Sequence, residues 1–406
     1  MKSYDVVIIG GGVLGGAVAF YLAKRGVENI LLLERNSIAQ GNSSLAAGLL
    51  TRGRFKPALI PMVLETYQAI HEVESVTRRS LNVRRTGCLY AAVSPEHQKN
   101  LRELATISTE SGLKVEWLDT TTAAHLLPWM RLPRDTSVVF MPEDGYVDGY
   151  TLASGYIKAA HTLGIQVREN TAVTEIIRRG DQIIGVKTAS ENIHANSVIN
   201  AAGVWAGLLA HEIGIGLPMA PIRSHYWITE PHSQFSPEQP FVILPDARAY
   251  ARPESNRLLF GFRERESASV HPFDLPDSMN GFTFKQDANG WQTLMEGAPD
   301  MSLYFPLIEQ IQISSYIRGL SNYTPDGNFV LGEYPGLSGF IAATGCAGAG
   351  IAMSGGIARL VSDLVTGQPP YVDPTPHQIQ RFGAVDPMSY EFIQSCADAR
   401  AGKVTG

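Results

Sequence analysis

Val6-Val7-Ile8-Ile9-Gly10-Gly11-Gly12-Val13-Leu14-Gly15 is the stretch on which the fold turns. Tyr4 to Ile9 is a short apolar run rich in β-branched residues, which reads as a strand buried on both faces. Glycines follow at once. Val13 to Arg25 then carries apolar residues at helical spacing, closed by Gly26 as a C-terminal cap. Ile30 to Leu33 is a second buried strand, ended by Glu34. The glycines fit G-x-G-x-x-G between strand and helix, and each has a physical task. Gly10 makes the tight turn, Gly12 lets the backbone approach a diphosphate, and Gly15 lets helix and strand pack closely. The start of the helix offers free N–H groups and a partial positive charge to that diphosphate. Glu34 stands 19 positions after Gly15, where a carboxylate accepts from ribose hydroxyls.

Composition narrows the rest. The chain has 406 residues, 44% of them hydrophobic, enough for two or three structural domains. A net charge of −6 without long basic runs argues against nucleic acid as a partner. Cys88, Cys346 and Cys396 lie far apart, and the ten histidines show no ligand spacing, so neither a disulfide framework nor a metal site is indicated. A reduced, cytoplasmic setting fits this usage, with the chain either free there or attached to the inner face of a membrane. Val6 to Ala23 is uncharged over about the length of a membrane span, but its five glycines suit a phosphate turn better than lipid.

Along the chain, helices are expected over Pro57 to Arg79, Glu96 to Gly112, Thr120 to Leu127, Leu152 to Leu163 and Ile351 to Val365. Strands are expected within Leu81 to Val93, over Ile165 to Glu169 and Ala172 to Ile177, from Val198 into Gly203, and over Phe340 to Thr344. Ile222 to Arg263 alternates as an antiparallel sheet does. Glu34-Arg35-Asn36 is followed by Gly41-Asn42-Ser43-Ser44-Leu45-Ala46-Ala47-Gly48, small residues able to run past a flat ring system, which favours FAD over NAD.

With VINAAGVWA (Val198 to Ala206) and YTPDGNFVLGEYPGLSGFIAATGCAGAGIAMSGG from Tyr323, these segments resemble the D-amino acid oxidase superfamily of FAD-dependent oxidoreductases, within its glycine oxidase, sarcosine oxidase and dimethylglycine dehydrogenase branch. The resemblance spans nearly the whole chain. It implies an α/β fold: a Rossmann-like FAD-binding domain built from discontinuous segments (1–80, 141–216 and 311–370), an α+β substrate domain with an antiparallel sheet (81–140 and 217–310), and a C-terminal extension (371–406). It places Gly10, Gly12, Val13, Leu14, Gly15, Glu34, Arg35, Ser43, Ser44, Ala46, Ala47, Gly48 and Leu49 around the dinucleotide. Val173 flanks the adenine, and Ala202, Gly203 and Trp205 close over it. Gly345, Gly348, Ala349, Gly350 and Ile351 line the isoalloxazine, where a helix start would stabilise negative charge on a reduced ring. Relatives that attach FAD covalently use a histidine where this chain has Leu45, or a cysteine at about Gly319, so non-covalent FAD is expected.

For the reacting centre, Tyr250 matches a tyrosine that contacts the substrate carboxylate in relatives. Arg252, two residues on, shares its strand face and would supply charge. Arg52 and Arg54 are further candidates, and His225 would tune amine deprotonation. Cys346 reads as a small buried thiol, a redox role being the alternative. Two cations of the family are missing: an arginine at the position of Gly348 and a lysine at about Ala352. A lysine that promotes reaction with oxygen is replaced at about Leu259, which favours a dehydrogenase over an oxidase. The expectation is C–N oxidation of a small amine or amino acid to an imine by hydride transfer to flavin N5, with a quinone or partner protein as acceptor. An oxygen-using oxidase of sarcosine, proline or opine type, one subunit of a hetero-oligomeric dehydrogenase, and a non-catalytic NAD-binding module are the alternatives. Homo- and hetero-oligomers both remain open.

Overall fold

The computed structural model describes residues 3–403, so the extreme ends of the expected terminal spans, 1–2 and 404–406, lie outside the described residues. Tyr4 to Ile9 does form a doubly buried strand, Ser3–Ile9, at the centre of a mixed sheet. Its neighbours are Ile30–Leu33 and Asn192–Asn200, both parallel to it. The sheet runs Val330–Tyr334, Leu337–Thr344, Gln182–Thr188, Asn192–Asn200, Ser3–Ile9, Ile30–Leu33, Gln166–Arg168, with Val173–Arg179 added on Gln182–Thr188. The helices Val13–Lys24, Ile60–Thr77, Gly149–Thr162 and Ser354–Val365 cover one face. A second apolar core, including Ile213, Leu217 and Met219, covers the other. Runs such as Ile30–Leu33 are continuous rather than alternating because both faces are dry.

The second sheet also has eight strands, in the order Ile313–Tyr323, Ala220–Thr229, Arg257–Phe262, Ala249–Glu254, Phe241–Leu244, Cys88–Ala92, Ser137–Met141, Glu116–Leu118. Its pairings are antiparallel except that between Phe241–Leu244 and Cys88–Ala92. One face carries an aromatic core with Trp227, Phe260, Phe262 and Phe305. The C-terminal helix Tyr390–Ala401 packs against Ala220–Thr229 and Ile313–Tyr323. The stretch 311–370 therefore contributes to both sheets, and the extension beyond 370 touches both: the turns Thr375–His377 and Ile379–Phe382 lie on Val330–Tyr334 of the first, and the helix Tyr390–Ala401 on the second.

Several element expectations are corrected. Only Cys88–Ala92 of Leu81 to Val93 is a strand, because Gly87 turns the chain at φ +83° and Phe140 fills the space beside it. The strand Gln182–Thr188 and the first part of Asn192–Asn200 escaped the sequence pattern, since the register against Val173–Arg179 shifts at Gly185 and breaks the alternation, and the strand expected from Val198 into Gly203 ends at Asn200. The helix expected over Ile351 to Val365 starts at Ser354, since Gly345 to Met353 winds as turns. Val6 to Ala23 is strand, turn and helix, and no helix among the described residues is long and apolar enough to cross a membrane.

Candidate functional site: a dinucleotide cradle opening into a cationic chamber

A cavity runs from the Gly10–Gly12 turn, under the second sheet, to the loop after Leu337–Thr344. At its first end the backbone is locked tightly. A Cβ on Gly10 would lie 2.5 Å from the Ala201 carbonyl oxygen, and one on Gly15 would lie 1.9 Å from that of Gly10. The two glycines thus hold the turn between its neighbouring strands. Gly12 differs: a Cβ there meets only Ser43 Oγ, at 3.1 Å, and otherwise points into the cavity. The Glu34 carboxylate accepts from the Gly11 N–H (2.7 Å) through one oxygen and from the Asn36 N–H (2.9 Å) through the other. Val13 N–H donates to Ser43 Oγ (2.9 Å), which couples the small-residue segment to the start of the helix.

Most of the expected cofactor residues reach this cavity. Gly10, Gly12, Val13, Leu14, Glu34 and Arg35 line the first end, with Ser43, Ala46, Ala47, Gly48 and Leu49 beside them. Val173, Ala202, Gly203 and Trp205 also line the cavity, and the Arg35 guanidinium stacks 4.3 Å from the Trp205 ring. Gly348, Ala349, Gly350 and Ile351 line the far loop. Three others serve the frame instead. Gly15 packs helix on strand, the Ser44 hydroxyl donates to the Gly41 carbonyl (2.9 Å), and Gly345 sits against Val330.

The far end is a chamber of tyrosines and cations. Tyr250 lies across Gly261 on the paired strand, so closely that a Cβ at 261 would be 2.5 Å from the phenol oxygen. Tyr323 lies against Gly348 in the same way, at 2.3 Å, and Gly348 has φ +75°. Burial pushes both phenols up, so they stay protonated donors at neutral pH. Arg54, Arg263, Arg400 and Lys403 line the chamber with them. The only acidic side chain on the whole wall, among the described residues, is Glu34 at the opposite end.

Three expected reacting residues are not where the spacing put them. Arg252 does share the strand face of Tyr250, but its Nε–H donates to the Ala47 carbonyl (2.7 Å). Its guanidinium lies 4.8 Å from the Tyr146 ring and pairs with Glu254. The two-residue rise carries it past the chamber into a separate cleft. Arg52 pairs with Glu143 and stacks 4.2 Å from the Tyr67 ring, off the cavity wall. His225 borders the cavity, yet its ring packs 4.8 Å from Trp227 with Nδ1 2.8 Å from the Tyr316 hydroxyl. Burial, then Arg400 and Arg223, push His225 well below its usual range, so it is neutral. Leu259 is buried on the inner face of its strand without reaching the cavity wall.

Sequence reasoning missed Arg263, Tyr323, Arg400 and Lys403 as site residues. Parity with Gly261 marks Arg263, one residue beyond the strand Arg257–Phe262, in retrospect. Nothing local marks Arg400 or Lys403, which reach the chamber only because the terminal helix docks on the second sheet. Cys346 lines the chamber as a free thiol pushed up by burial.

The residues present fit an FAD. The Gly12 face is an open cradle that a Cβ would fill, backbone donors surround it, and Glu34 is fixed at the end of the second strand. Leu45 and Gly319 are neighbours on the wall, a Cβ at 319 falling 3.2 Å from Leu45 Cβ, and neither carries a group able to bond a flavin.

Comparison with known proteins agrees. The chain is 27% identical over 376 residues to 4-methylaminobutanoate oxidase (formaldehyde-forming) of Paenarthrobacter nicotinovorans, covering 93% of this chain and 45% of that protein. It thus spans less than half the length of that relative. Glycine oxidase of Bacillus subtilis is 26% identical over 373 residues, with 90% of this chain and 93% of that one covered. The solved glycine oxidase of Geobacillus kaustophilus superposes with a TM-score of 0.78 at 26% identity, over 94% of this chain and 99% of that one. The family model described as FAD dependent oxidoreductase matches residues 5–364, which takes in the cradle, both sheets and the far loop, and the chain belongs to that family.

Proposed function

We propose that this protein oxidises a carbon–nitrogen bond of an amine or amino acid that carries a negative group, and that it holds FAD non-covalently. The observation that carries the reading is the continuity of the cavity, from a cradle of backbone donors to a chamber whose charged side chains are all cations, with phenols among them. Bound FAD supplies the acceptor for a hydride equivalent from the carbon beside nitrogen. The chain does the rest. Arg54 and its neighbours fix a carboxylate and so orient the C–H bond. Ile243, Ala249 and Leu320 give the chamber an apolar wall that keeps water away. Tyr250 donates through its protonated phenol. His225 does not serve as the base, since burial holds it neutral, well below its usual range, and its ring is engaged with Tyr316 and Trp227. The reactive amine is therefore the unprotonated form, shifted towards neutrality by the surrounding positive charge.

For the final acceptor, a dehydrogenase passing electrons to a quinone or a partner protein is the first reading, which rests on the resemblance alone: leucine stands at about the position of the oxygen-promoting lysine, and it does not reach the cavity wall. A second reading, an oxygen-using oxidase, draws on Arg400 and Lys403, whose charge would favour electron transfer to oxygen. The test is anaerobic mixing of the yellow holoenzyme with L-, D- and N-alkylated amino acids, following visible flavin absorbance. Bleaching by carboxylated amines is expected. Bleaching that persists in air marks a dehydrogenase; rapid recovery with hydrogen peroxide marks an oxidase. No bleaching by any amine would remove the proposal.

A further inference from the structure

The chamber holds more positive charge than one carboxylate needs. Arg400 is 4% exposed, lines the cavity, and its Nε and Nη1 have no hydrogen-bond partner among the described residues. A buried guanidinium with two donors unused is costly unless something anionic meets it. Lys403 donates from Nζ to the Ala347 carbonyl at 3.1 Å, and that nitrogen lies 3.7 Å from where a Cβ on Gly348 would be. The left-handed turn at Gly348 and the Tyr323 phenol exclude any side chain there, so the terminal segment supplies the cation from outside. Arg54, from the segment after the cradle, donates to Thr51 Oγ1 (2.6 Å) and the Gly53 carbonyl (2.7 Å), and forms no ion pair among the described residues. Arg263 reaches the same chamber and donates to the Lys403 carbonyl. The nearby acid is Asp144, behind Arg54 and off the cavity wall.

We propose that Arg400 and Lys403, at the C-terminal end of the chain, form a second anion subsite beside that of Arg54 and Arg263, and that the substrate is a dianionic amine: an amino acid carrying a further carboxylate on its nitrogen substituent or side chain. This deepens the reading of the chamber as an amine-oxidising site and rests on it. The terminal helix docks on the second sheet through Phe392, Ile393, Cys396 and Ala397, and this apolar contact brings both cations to the chamber. It makes Arg400 and Lys403 specificity residues that select the charge of the substrate.

The test uses holoenzyme and unreactive aromatic probes. Pyridine-2,6-dicarboxylate and pyridine-2-carboxylate are titrated by calorimetry and by perturbation of the flavin spectrum. The dicarboxylate is expected to bind more than about tenfold more tightly, as one added charge-assisted contact allows. Arg400→Gln and Lys403→Met should each cost the dicarboxylate at least about tenfold more affinity than the monocarboxylate. Equal affinity of the two probes in the unmodified protein, no binding of either, or an undiminished preference in both variants would overturn the proposal. The unmodified protein alone can therefore reject it, even if a variant fails to fold. Bleaching by amines without a dicarboxylate preference would sink only this subsite. A dicarboxylate preference without bleaching by any amine would sink the oxidation reading and leave the subsite standing.

Discussion

The two ends of the cavity solve opposite problems. The cradle recognises charge with backbone: turn glycines, a helix start and one carboxylate whose two oxygens are held by N–H groups. The chamber recognises charge with four side chains drawn from three places in the chain: Arg54, Arg263, and the pair Arg400 and Lys403. Backbone recognition demands a local sequence, because the same few residues must turn, approach and cap. Side-chain recognition demands only that long cations arrive from whatever element is near. The first is therefore rigid in sequence and the second free to be rebuilt.

The sharpest break in the comparison is Gly12→Val. The added methyls enter the open face of the cradle and meet little protein, Ser43 Oγ being the single neighbour of the Cβ. The variant is expected to fold, with an unchanged far-ultraviolet spectrum, and to retain less than about a tenth of the flavin, the loss of a few kcal/mol that a blocked diphosphate approach implies. A fully yellow variant would show that the diphosphate lies elsewhere.

At the other end, Arg54→Met should leave the protein yellow and lower kcat/KM for a carboxylated amine by about 10² to 10³, as loss of a buried charge contact costs about 3–4 kcal/mol. An amine without a carboxylate should lose far less. Equal losses for both would mean that Arg54 supports the fold rather than the substrate.

Tyr250 and Arg252 make the comparison within one strand. Tyr250→Phe removes a protonated donor from the chamber and is expected to slow flavin reduction by about tenfold. Arg252→Ala instead cuts the strand's tie to the Ala47 carbonyl and its contact with Tyr146. Its expected effect is a melting temperature lower by several degrees, from about 1.5–3 kcal/mol of lost charge-assisted bonding, with reduction rates close to the parent. A large rate loss at Arg252 with unchanged melting would return it to the reacting centre.

These residues also show what the sequence could and could not disclose. Gly10, Gly12, Gly15 and Glu34 were readable because strand, turn, helix and acid follow one another within 35 residues. The alternating run from Ile222 disclosed a sheet and the shared face of Tyr250 and Arg252, but parity gives direction and not depth. Only the side-chain partners of Arg252 decide that it passes the chamber. Arg400 and Lys403 were illegible for a different reason. Their position depends on how the helix Tyr390–Ala401 packs against Ala220–Thr229, a contact between segments that residues 230–389 separate, and no local pattern encodes it.

The smallest effect expected is one of pH, and it probes the rebuilt end alone. Burial, then Arg54, Arg263 and Arg400, lower Lys403 to about 7, with Cys346 opposing. Lys403 in the free chamber therefore loses its proton as pH rises through neutrality, whereas an anion beside it favours the charged form. Binding of pyridine-2,6-dicarboxylate should weaken as pH rises from about 6 to about 8.5, by roughly fivefold to tenfold, with proton uptake above about pH 7. The other groups facing Lys403 do not supply this slope. Arg263 is lowered only to about 10, and Tyr323 and Cys346 are raised. Asp144, raised to about 7 by burial, ionises beside Arg54 over the same range and adds a weaker trend of the same sign. Lys403→Met should thus flatten most of the profile and leave a shallow residue from Asp144. An affinity that rises with pH, or a profile unchanged in the variant, would place Lys403 away from the bound anion and leave the chamber with a single, ordinary carboxylate site.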